Sequence, residues 1–329
     1  MTRNHLLTLS LAAALAGAQA SPPAQAQAWP SRLLTMVVPS AAGGPIDVIG
    51  RILAPRMSEI LGQQVVVENV PGAGGMIGSA RVARASPDGY KFVLGAAGQF
   101  AQAQTLYKHP QYNAVSDFTP VGLIAEAPAI LVVRKDFPAG DFKEFMAYAR
   151  ANQDKLQFGS GGAGSGPHTT CLLLNSAIGI NVTHVPYRGI APAYQDLIGG
   201  RFDYMCDFVA TALPQIQGGT VKAIATLTRE RTAVLPNLPT AHEYGLANLD
   251  APGWYALLLP KGAPEMIVHR LSKAMSDAVE SPAVRQQLLS LGTVVVAPER
   301  RTPEYLAQFI PSEIEKWAAP IKASGVFID

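Results

Sequence analysis

The sequence has little of what several protein classes require. Two cysteines, Cys171 and Cys206, are too few for a disulfide framework or a zinc cluster. We expect them to be a buried pair of free thiols, the alternative being a single bridge in an oxidising compartment. Lysine and arginine number 26 against 24 aspartates and glutamates, and no basic tract occurs. This balance argues against nucleic acid or an anionic membrane surface as a partner.

Long apolar runs are also missing, since no stretch reaches the roughly 18 residues of a membrane helix. The first 28 residues instead have the three parts of a secretory signal peptide. Arg3 is followed by an apolar run over residues 6–15, and small-residue cleavage sites end at Ala20 and Ala28. We favour cleavage after Ala28. The mature chain is therefore expected to be a soluble protein of the periplasm.

About 300 mature residues are enough for two lobes, and β-like runs alternate with helix-like runs along them. The predicted strands cover residues 65–69, 92–95, 129–133, 156–159, 182–185, 202–208, 221–227, 254–259 and 293–297. The first helix has Ile49, Leu53, Met57 and Ile60 on one face, and Pro55 is expected to kink it or end it early. The alternation predicts an α/β fold with mostly parallel sheets, which bind ligands where strands end and helices begin.

Two similar Gly-rich loops lie at such positions, in MVVPSAAGGPIDVIGRIL and in FGSGGAGSGPHTTCLLL. Each follows a strand and precedes a helix, where free backbone N–H groups and the positive helix end favour an anion. Ser40, Ser160 and Ser165 add hydroxyl donors. Either loop alone could be an ordinary tight turn. Two loops of one design in different halves favour one ligand held from both sides.

Motifs for catalysis are weak. Ser165 and His168 are spaced as a conceivable hydrolase pair, but Ala163 stands where a G-x-S-x-G elbow needs glycine. GSGGAGSG lacks the lysine of a phosphate-binding P-loop, and the histidines lack the spacing of a metal site. We therefore expect no cofactor and no metal.

Seven stretches in sequence resemble one known family, the Bug receptors, which are periplasmic solute-binding components related to tripartite tricarboxylate transporters. The stretches are VVPSAAGGPIDVIGR, VVVENVPGAGGMIG, SPDGY, FGSGGAGSGPH, VPYRGIAPAYQDLIGGRFD, LTRERTAVLPNLPTAHEYG and GWYALLLPKGAP. The resemblance implies a two-lobed Venus-flytrap receptor of the type II kind that is a monomer. It implies a small carboxylate as the ligand, and membrane permease subunits or a sensor as partners.

The resemblance also implies lobe boundaries and contact loops. Lobe 1 would comprise residues 29–125 and 230–329, and lobe 2 residues 126–229. The ligand-binding candidates are Ser40, Ala41, Ala42, Gly43, Gly44, Asp47, Ala96, Ala97, Gly98, Gln99, Ser160, Gly164, Ser165, Gly166, His168, Tyr187 and Asp207.

Several candidates have alternative roles. Asp47, in the first turn of its helix, is interpreted as organising its loop. Asp207 either faces the cleft, where it would select an amine or hydroxyl, or caps the next helix. Gln99 would donate to a carboxylate or an amide, and Phe100 would form an aromatic wall.

Three functions follow in order of preference. The first is a periplasmic receptor for a small organic acid, bound by backbone N–H groups and serine hydroxyls without a dedicated arginine. Arg188, in PYRG, is the one cation near a cleft-forming turn that would change this view. The second is a secreted hydrolase using Ser165 and His168. The third, a ligand-sensing domain of a transcription factor, lacks a DNA-binding segment.

Overall fold

The computed structural model describes residues 29–329, so the signal peptide predicted for residues 1–28 lies outside the described part. The strands in the described part are β1 (Leu34–Val38), β2 (Val65–Asn69), β3 (Lys91–Ala96), β4 (Phe118–Ala127), β5 (Ala129–Arg134), β6 (Gln157–Ser160), β7 (Thr183–Pro186), β8 (Tyr204–Phe208), β9 (Val221–Thr226), β10 (Gly253–Pro260) and β11 (Val294–Val295). β4 was not predicted, and β11 is shorter than the predicted strand 293–297.

Helices fill most of the segments between the strands. They are α1 (Pro45–Leu61), α2 (Met76–Ala83), α3 (Ala103–Leu106), α4 (Phe142–Asn152), α5 (Gly166–Ile178), α6 (Ile190–Ile198), α7 (Val209–Gln217), α8 (Glu265–Glu280), α9 (Pro282–Ser290) and α10 (Pro303–Ala323). A π-helical turn, Gly98–Gln102, leads directly into α3. Within residues 29–329, no helix has an apolar stretch long enough to cross a bilayer.

The strands form two sheets, which define two lobes. Lobe 1 has the order β11-β4-β10-β3-β1-β2 and carries α1 to α3 and α8 to α10, whereas lobe 2 has the order β7-β6-β8-β5-β9 and carries α4 to α7. The chain passes from lobe 1 to lobe 2 at Pro128, between β4 and β5, and it returns between β9 and β10. The sheets therefore pack as separate units joined by two crossing segments.

Both sheets are mixed, so the expectation of mostly parallel sheets is corrected. In lobe 1, β1 pairs in parallel with β2 and β3, while β10 runs antiparallel to β3 and β4. In lobe 2, β6 pairs in parallel with β7 and β8, while β5 runs antiparallel to β8 and β9. Four of the five antiparallel pairs involve β5 or β10, the strands that enter from the other lobe, and the fifth pairs β11 with β4.

The first helix has one face buried in the core and one face exposed. Ile49, Leu53 and Met57 of α1 are completely buried and belong to the main hydrophobic core. Pro55 lies on the exposed side, and the helix continues past it to Leu61, so the expectation of an early end is wrong. The buried face offsets the backbone hydrogen bond that proline cannot donate.

Cys171 and Cys206 are joined in a disulfide, which corrects the expectation of free thiols. Cys171 belongs to α5 and Cys206 to β8, and both side chains are fully buried. α5 packs directly on β8, which brings the two Cα atoms to 5.3 Å, a separation typical of disulfides. The sequence could not reveal this proximity, because the cysteines are 35 positions apart.

Candidate ligand-binding cleft

Loops that follow the parallel strands of the two sheets face each other across one cavity of about 620 Å³. In lobe 1 the loops follow β1, β2 and β3, and in lobe 2 they follow β6, β7 and β8. β1 and β6 hold equivalent positions, because each lies next to the edge strand of its sheet and has two parallel neighbours. The two Gly-rich loops that follow them, residues 39–44 and 161–165, are therefore topological counterparts, at the edge where α/β sheets bind ligands.

Ten of the predicted site residues line this cavity. Those from lobe 1 are Ser40, Ala41, Gly44, Ala96, Ala97, Gly98 and Gln99, and those from lobe 2 are Ser165, Gly166 and Tyr187. The other seven predicted residues do not line it. They are Ala42, Gly43, Asp47, Ser160, Gly164, His168 and Asp207.

Helices of both lobes begin at the cavity. α1 starts after Gly44 and α6 after Gly189, and neither of these cap residues provides a side-chain hydrogen bond. α5 starts after Ser165, whose hydroxyl accepts a long 3.5 Å hydrogen bond from the backbone of His168. First-turn N–H groups have no partner inside a helix, and the helix dipole adds positive potential there. The cavity therefore presents donors and positive potential from two sides.

Asp47 holds the lobe 1 loop in place. Its carboxylate accepts hydrogen bonds from the Gly43 backbone at 2.8 Å, from Arg51 at 2.9 Å and from Asn69 at 2.9 Å. Burial alone would raise the pKa of Asp47, but these hydrogen bonds outweigh burial and hold it below its usual value. The N–H group of Gly43 is therefore occupied. Because its oxygens are occupied by protein donors, Asp47 can shape the loop without touching a ligand.

A pair of neighbouring histidines, buried His168 and half-buried His184, supports the lobe 2 loop. The ring centroids of His168 and His184 are 4.0 Å apart. Nδ1 of His168 accepts from the Gly164 backbone at 3.2 Å, and Nε2 of His184 lies 2.7 Å from the Ser160 hydroxyl. The Ser160 hydroxyl also accepts from the Gly162 backbone at 3.1 Å. Both histidines therefore face the protein, where they fix the loop from behind.

Asp207 lies beneath the cavity rather than in its lining. One carboxylate oxygen accepts from Tyr194 at 3.0 Å and from Thr211 of α7 at 2.5 Å. Burial raises the pKa of Asp207 to about 6, although these hydrogen bonds act in the opposite direction. Asp207 bonds the hydroxyl of Thr211, whereas the capping residue of α7 is Phe208, which has no side-chain cap bond, so Asp207 neither lines the cavity nor caps α7.

Acidification from pH 7 to pH 5 is expected to lower the free energy of unfolding. Burial lowers the pKa of His168 to about 3 and of His184 to about 4, so below pH 6.5 only the unfolded chain protonates them. Each histidine therefore lowers the free energy of unfolding by about 1.4 kcal/mol per pH unit below pH 6.5. Asp207 has the opposite effect on the free energy of unfolding, because its pKa of about 6 in the folded protein exceeds its pKa of 3.8 in the unfolded chain. The net expected loss is about 1.4 kcal/mol between pH 6 and pH 5.

Urea unfolding at pH 7, 6 and 5 measures this slope. Asp207→Asn removes the carboxyl group that counteracts the histidines. The free energy of unfolding of this variant should therefore fall about twice as steeply on acidification. A free energy of unfolding that stays constant or rises toward pH 5 would contradict the neutral histidine pair.

The structure adds cavity residues that sequence analysis missed. They include Gly72, Gly74 and Gly75 after β2, together with Tyr107, Phe208, Tyr255 and Ile328. The β2 loop, PGAGG, follows the predicted strand VVVEN, so its composition and position were a usable signal. The other added residues are distant in sequence from the β2 loop and gave no such signal.

Phe100 does not form the expected cavity wall. It is fully buried and packs in an aromatic cluster with Tyr112 and Phe118, at centroid distances of 5.8 and 5.0 Å. Gln99, its neighbour, does line the cavity, and its side-chain amide donates to the Gly74 carbonyl at 2.9 Å. The π-helical turn directs Phe100 into the lobe 1 core instead.

The two lobes touch around the cavity through glycine. A Cβ added to Gly74 would lie 2.6 Å from the backbone carbon of Gly164, and one added to Gly189 would lie 2.8 Å from the side chain of Ala41. The Tyr107 hydroxyl donates across the cleft to the Ala163 carbonyl at 3.4 Å. The structure therefore shows a closed arrangement in which backbones of opposite lobes are in contact.

Comparisons with known proteins agree with this architecture. Residues 49–326 match the model of the tripartite tricarboxylate transporter family receptor. The chain belongs to this family. The UPF0065 protein in the TAR-I ttuE-ttuC' intergenic region of Agrobacterium vitis is 43% identical over 303 residues, which cover 92% of this chain and 87% of that protein.

Two solved structures superpose on the chain. MatC from Rhodopseudomonas palustris, with bound malate, is 41% identical with a TM-score of 0.86, covering 89% of this chain and 99% of that one. The periplasmic binding protein BugD is 39% identical with a TM-score of 0.87, covering 91% and 99%. The predicted two-lobed receptor fold is confirmed.

Membership of the receptor family decides between binding and catalysis. The family consists of periplasmic solute-binding receptors, and this chain is a receptor rather than an enzyme. The hydrolase alternative is wrong, since the Ser165 hydroxyl caps α5 and Nδ1 of His168 is bonded to Gly164. Among residues 29–329, no group of three or more histidine, cysteine, aspartate or glutamate side chains is placed to hold a metal ion.

Proposed function

We propose that the receptor binds a small organic carboxylate in the cavity between its lobes. The observation that carries this proposal is the start of three helices, α1, α5 and α6, at one cavity whose charged lining side chains are only Arg188 and Asp329 within the described chain. Fixed amide donors bind an anion without ordering a long side chain on arrival. MatC, which contains malate, supports the same ligand class.

The donors that we assign to the carboxylate come from both lobes. On lobe 1 they are the first-turn N–H groups of α1, which begins with Pro45. On lobe 2 they are the N–H group of Gly166 and the hydroxyl of Ser165. Gly43 and Gly164 are not in this set, because their N–H groups donate to Asp47 and His168. Closure of the lobes brings the two half-sites to one ligand.

We further propose that residues 1–28 export the chain to the periplasm, where it acts as a monomer. It would deliver its ligand to membrane permease subunits or to a sensor. Family membership supports the periplasmic location, and the basic, apolar and small-residue segments of residues 1–28 support the export signal.

Titration calorimetry with malate, succinate, adipate, suberate and benzoate tests the carboxylate assignment. At least one of these acids should bind, and the matched primary amide of that acid should bind much more weakly, because helix starts favour negative charge. We call the tightest-binding member of this panel the reference acid. Native mass spectrometry of the freshly isolated protein should show a bound acid. Binding of the amides but not of the acids would contradict the proposal.

Arg188→Gln is expected to change the affinity for the reference acid by less than about tenfold, or roughly 1.4 kcal/mol. Arg188 lines the cavity but is exposed, and it forms no ion pair with another side chain of residues 29–329. Water screens an exposed charge, so its contribution to anion binding is small. Calorimetry in low and moderate salt measures the effect. Complete loss of binding would show that Arg188 is the main anion ligand and that the helix starts are not.

A further inference from the structure

The last described residues of the chain form part of the cavity wall. Ile328 and Asp329 line the cavity together with Tyr107. The backbone of Ile328 is bonded on both sides, since its N–H donates to the Leu106 carbonyl at 2.9 Å and its carbonyl accepts from Lys108 at 2.9 Å. These bonds hold the segment against lobe 1 in a fixed position.

Two further contacts connect this segment to the rest of the site. The Asp329 carboxylate pairs with Lys108 at 2.6 Å. Tyr107, which forms a bridge with Ile328, reaches lobe 2 through its hydroxyl contact with Ala163. The wall formed by Tyr107 and Ile328 therefore extends from the chain end to the lobe 2 Gly-rich loop.

The cavity is much larger than a four-carbon diacid requires. At about 30 Å³ per water molecule, such an acid displaces roughly 150 Å³ of water. The cavity volume is about 620 Å³. Pockets that bind small molecules usually bury most of the ligand surface. A short acid anchored at the helix starts would leave most of this cavity to water.

The remaining lining is largely apolar. It includes Ile46, Pro71, Ala73, Pro167, Ile190 and Phe208. The ring of Phe208 lies close to Gly166, because a Cβ added to this glycine would be 2.9 Å from the ring. An apolar ligand body can therefore pack beside the start of α5, where the carboxylate is assigned.

We infer that the receptor selects a carboxylate with an apolar body of about six carbons or more, which extends along the wall formed by Tyr107 and Ile328, and that Ile328, at the end of this wall away from the lobe 2 Gly-rich loop, limits its length. This inference rests on the proposed carboxylate site. The helix starts hold one carboxylate, and the body of the ligand extends along the wall.

Calorimetry with the straight-chain diacids succinate, adipate, pimelate, suberate and azelate tests the inference. Wild-type affinity should be highest for an acid of six to eight carbons. Ile328→Ala lengthens the cavity, so the optimum should move to a longer acid, with a change in relative affinity of about fourfold for each added methylene that becomes buried. Ile328→Phe should move the optimum to a shorter acid.

Val326→Ala is the matched control. Val326 packs on the same hydrophobic cluster as Ile328 but does not line the cavity, so this variant should keep the wild-type order of affinities. A wild-type optimum at succinate would overturn the inference, as would an unchanged order in both Ile328 variants. These outcomes leave the carboxylate proposal intact, whereas failure of every acid to bind wild-type protein would refute that proposal itself.

Discussion

Replacement of Gly74 by valine is expected to lower the affinity for the reference acid at least about 100-fold, or about 2.7 kcal/mol. A Cβ at this position would lie 2.6 Å from the backbone carbon of Gly164 and 2.9 Å from the Ala163 carbonyl oxygen. Those atoms belong to the opposite lobe, and backbone cannot move aside as a flexible side chain can. The valine would therefore hold the lobes apart, and only the closed arrangement lets both half-sites reach the ligand.

Calorimetry and small-angle scattering measure the two parts of this result. Wild-type protein saturated with the reference acid should have a smaller radius of gyration than the Gly74→Val variant under the same conditions. Gly200→Val is the matched control, because Gly200 has a similar positive φ of 71°, against 61° for Gly74, but no atom within 4 Å of an added Cβ. A Gly74→Val protein that binds and compacts like wild type would contradict closure through these loops.

The double replacement Cys171→Ala and Cys206→Ala is expected to lower the free energy of unfolding by about 3–5 kcal/mol. The disulfide closes a segment in which the cysteines are 35 positions apart. Such a bridge restricts the unfolded chain, and a closed loop of this length corresponds to about 4 kcal/mol in the chain-entropy description. Since natural domains are stable by about 5–15 kcal/mol, the expected loss is a large share of the total.

Urea unfolding with and without reductant measures this effect. Reductant should destabilise wild-type protein to nearly the level of the double variant, and it should leave the variant unchanged. If the variant unfolds at the wild-type urea concentration, the bridge contributes no stability. Equal sensitivity of both proteins to reductant would show that the effect does not come from this cysteine pair.

Elements with strong local patterns were predicted from the sequence. The strand segments VVVEN, FVLG and AILVV all lie within observed strands. β4 was missed because Pro120, Gly122 and Glu126 interrupt its apolar pattern. Its extended form is stabilised by pairing with β10 and β11, which are distant in the sequence. Tertiary pairing therefore overrode local preference in this strand.

The candidate site, like the fold, was predicted only in part from the sequence. The Gly-rich loops after β1 and β6 could be located because their glycine, serine and strand-to-helix pattern is contained within about 18 residues. Which residues of these loops and of the helix starts after them face the cavity could not be predicted, since this depends on the neighbours that each side chain meets in the folded protein. Ser40 and Ser165 line the cavity, whereas Asp47 and His168 do not. Hydrogen bonds to Arg51, Asn69 and the loop backbones turn the latter two inward.

The sequence by itself determined the α/β class, the receptor family and the two anion-favouring loops, because each depends on local order along the chain. The tertiary structure alone decided the bond between Cys171 and Cys206, the burial of Phe100, and the place of Tyr107 and Ile328 in the cavity wall. These features depend on contacts between segments far apart in sequence. Such contacts exist only when the apolar faces of both lobes are buried, and no local pattern specifies which distant residues then meet.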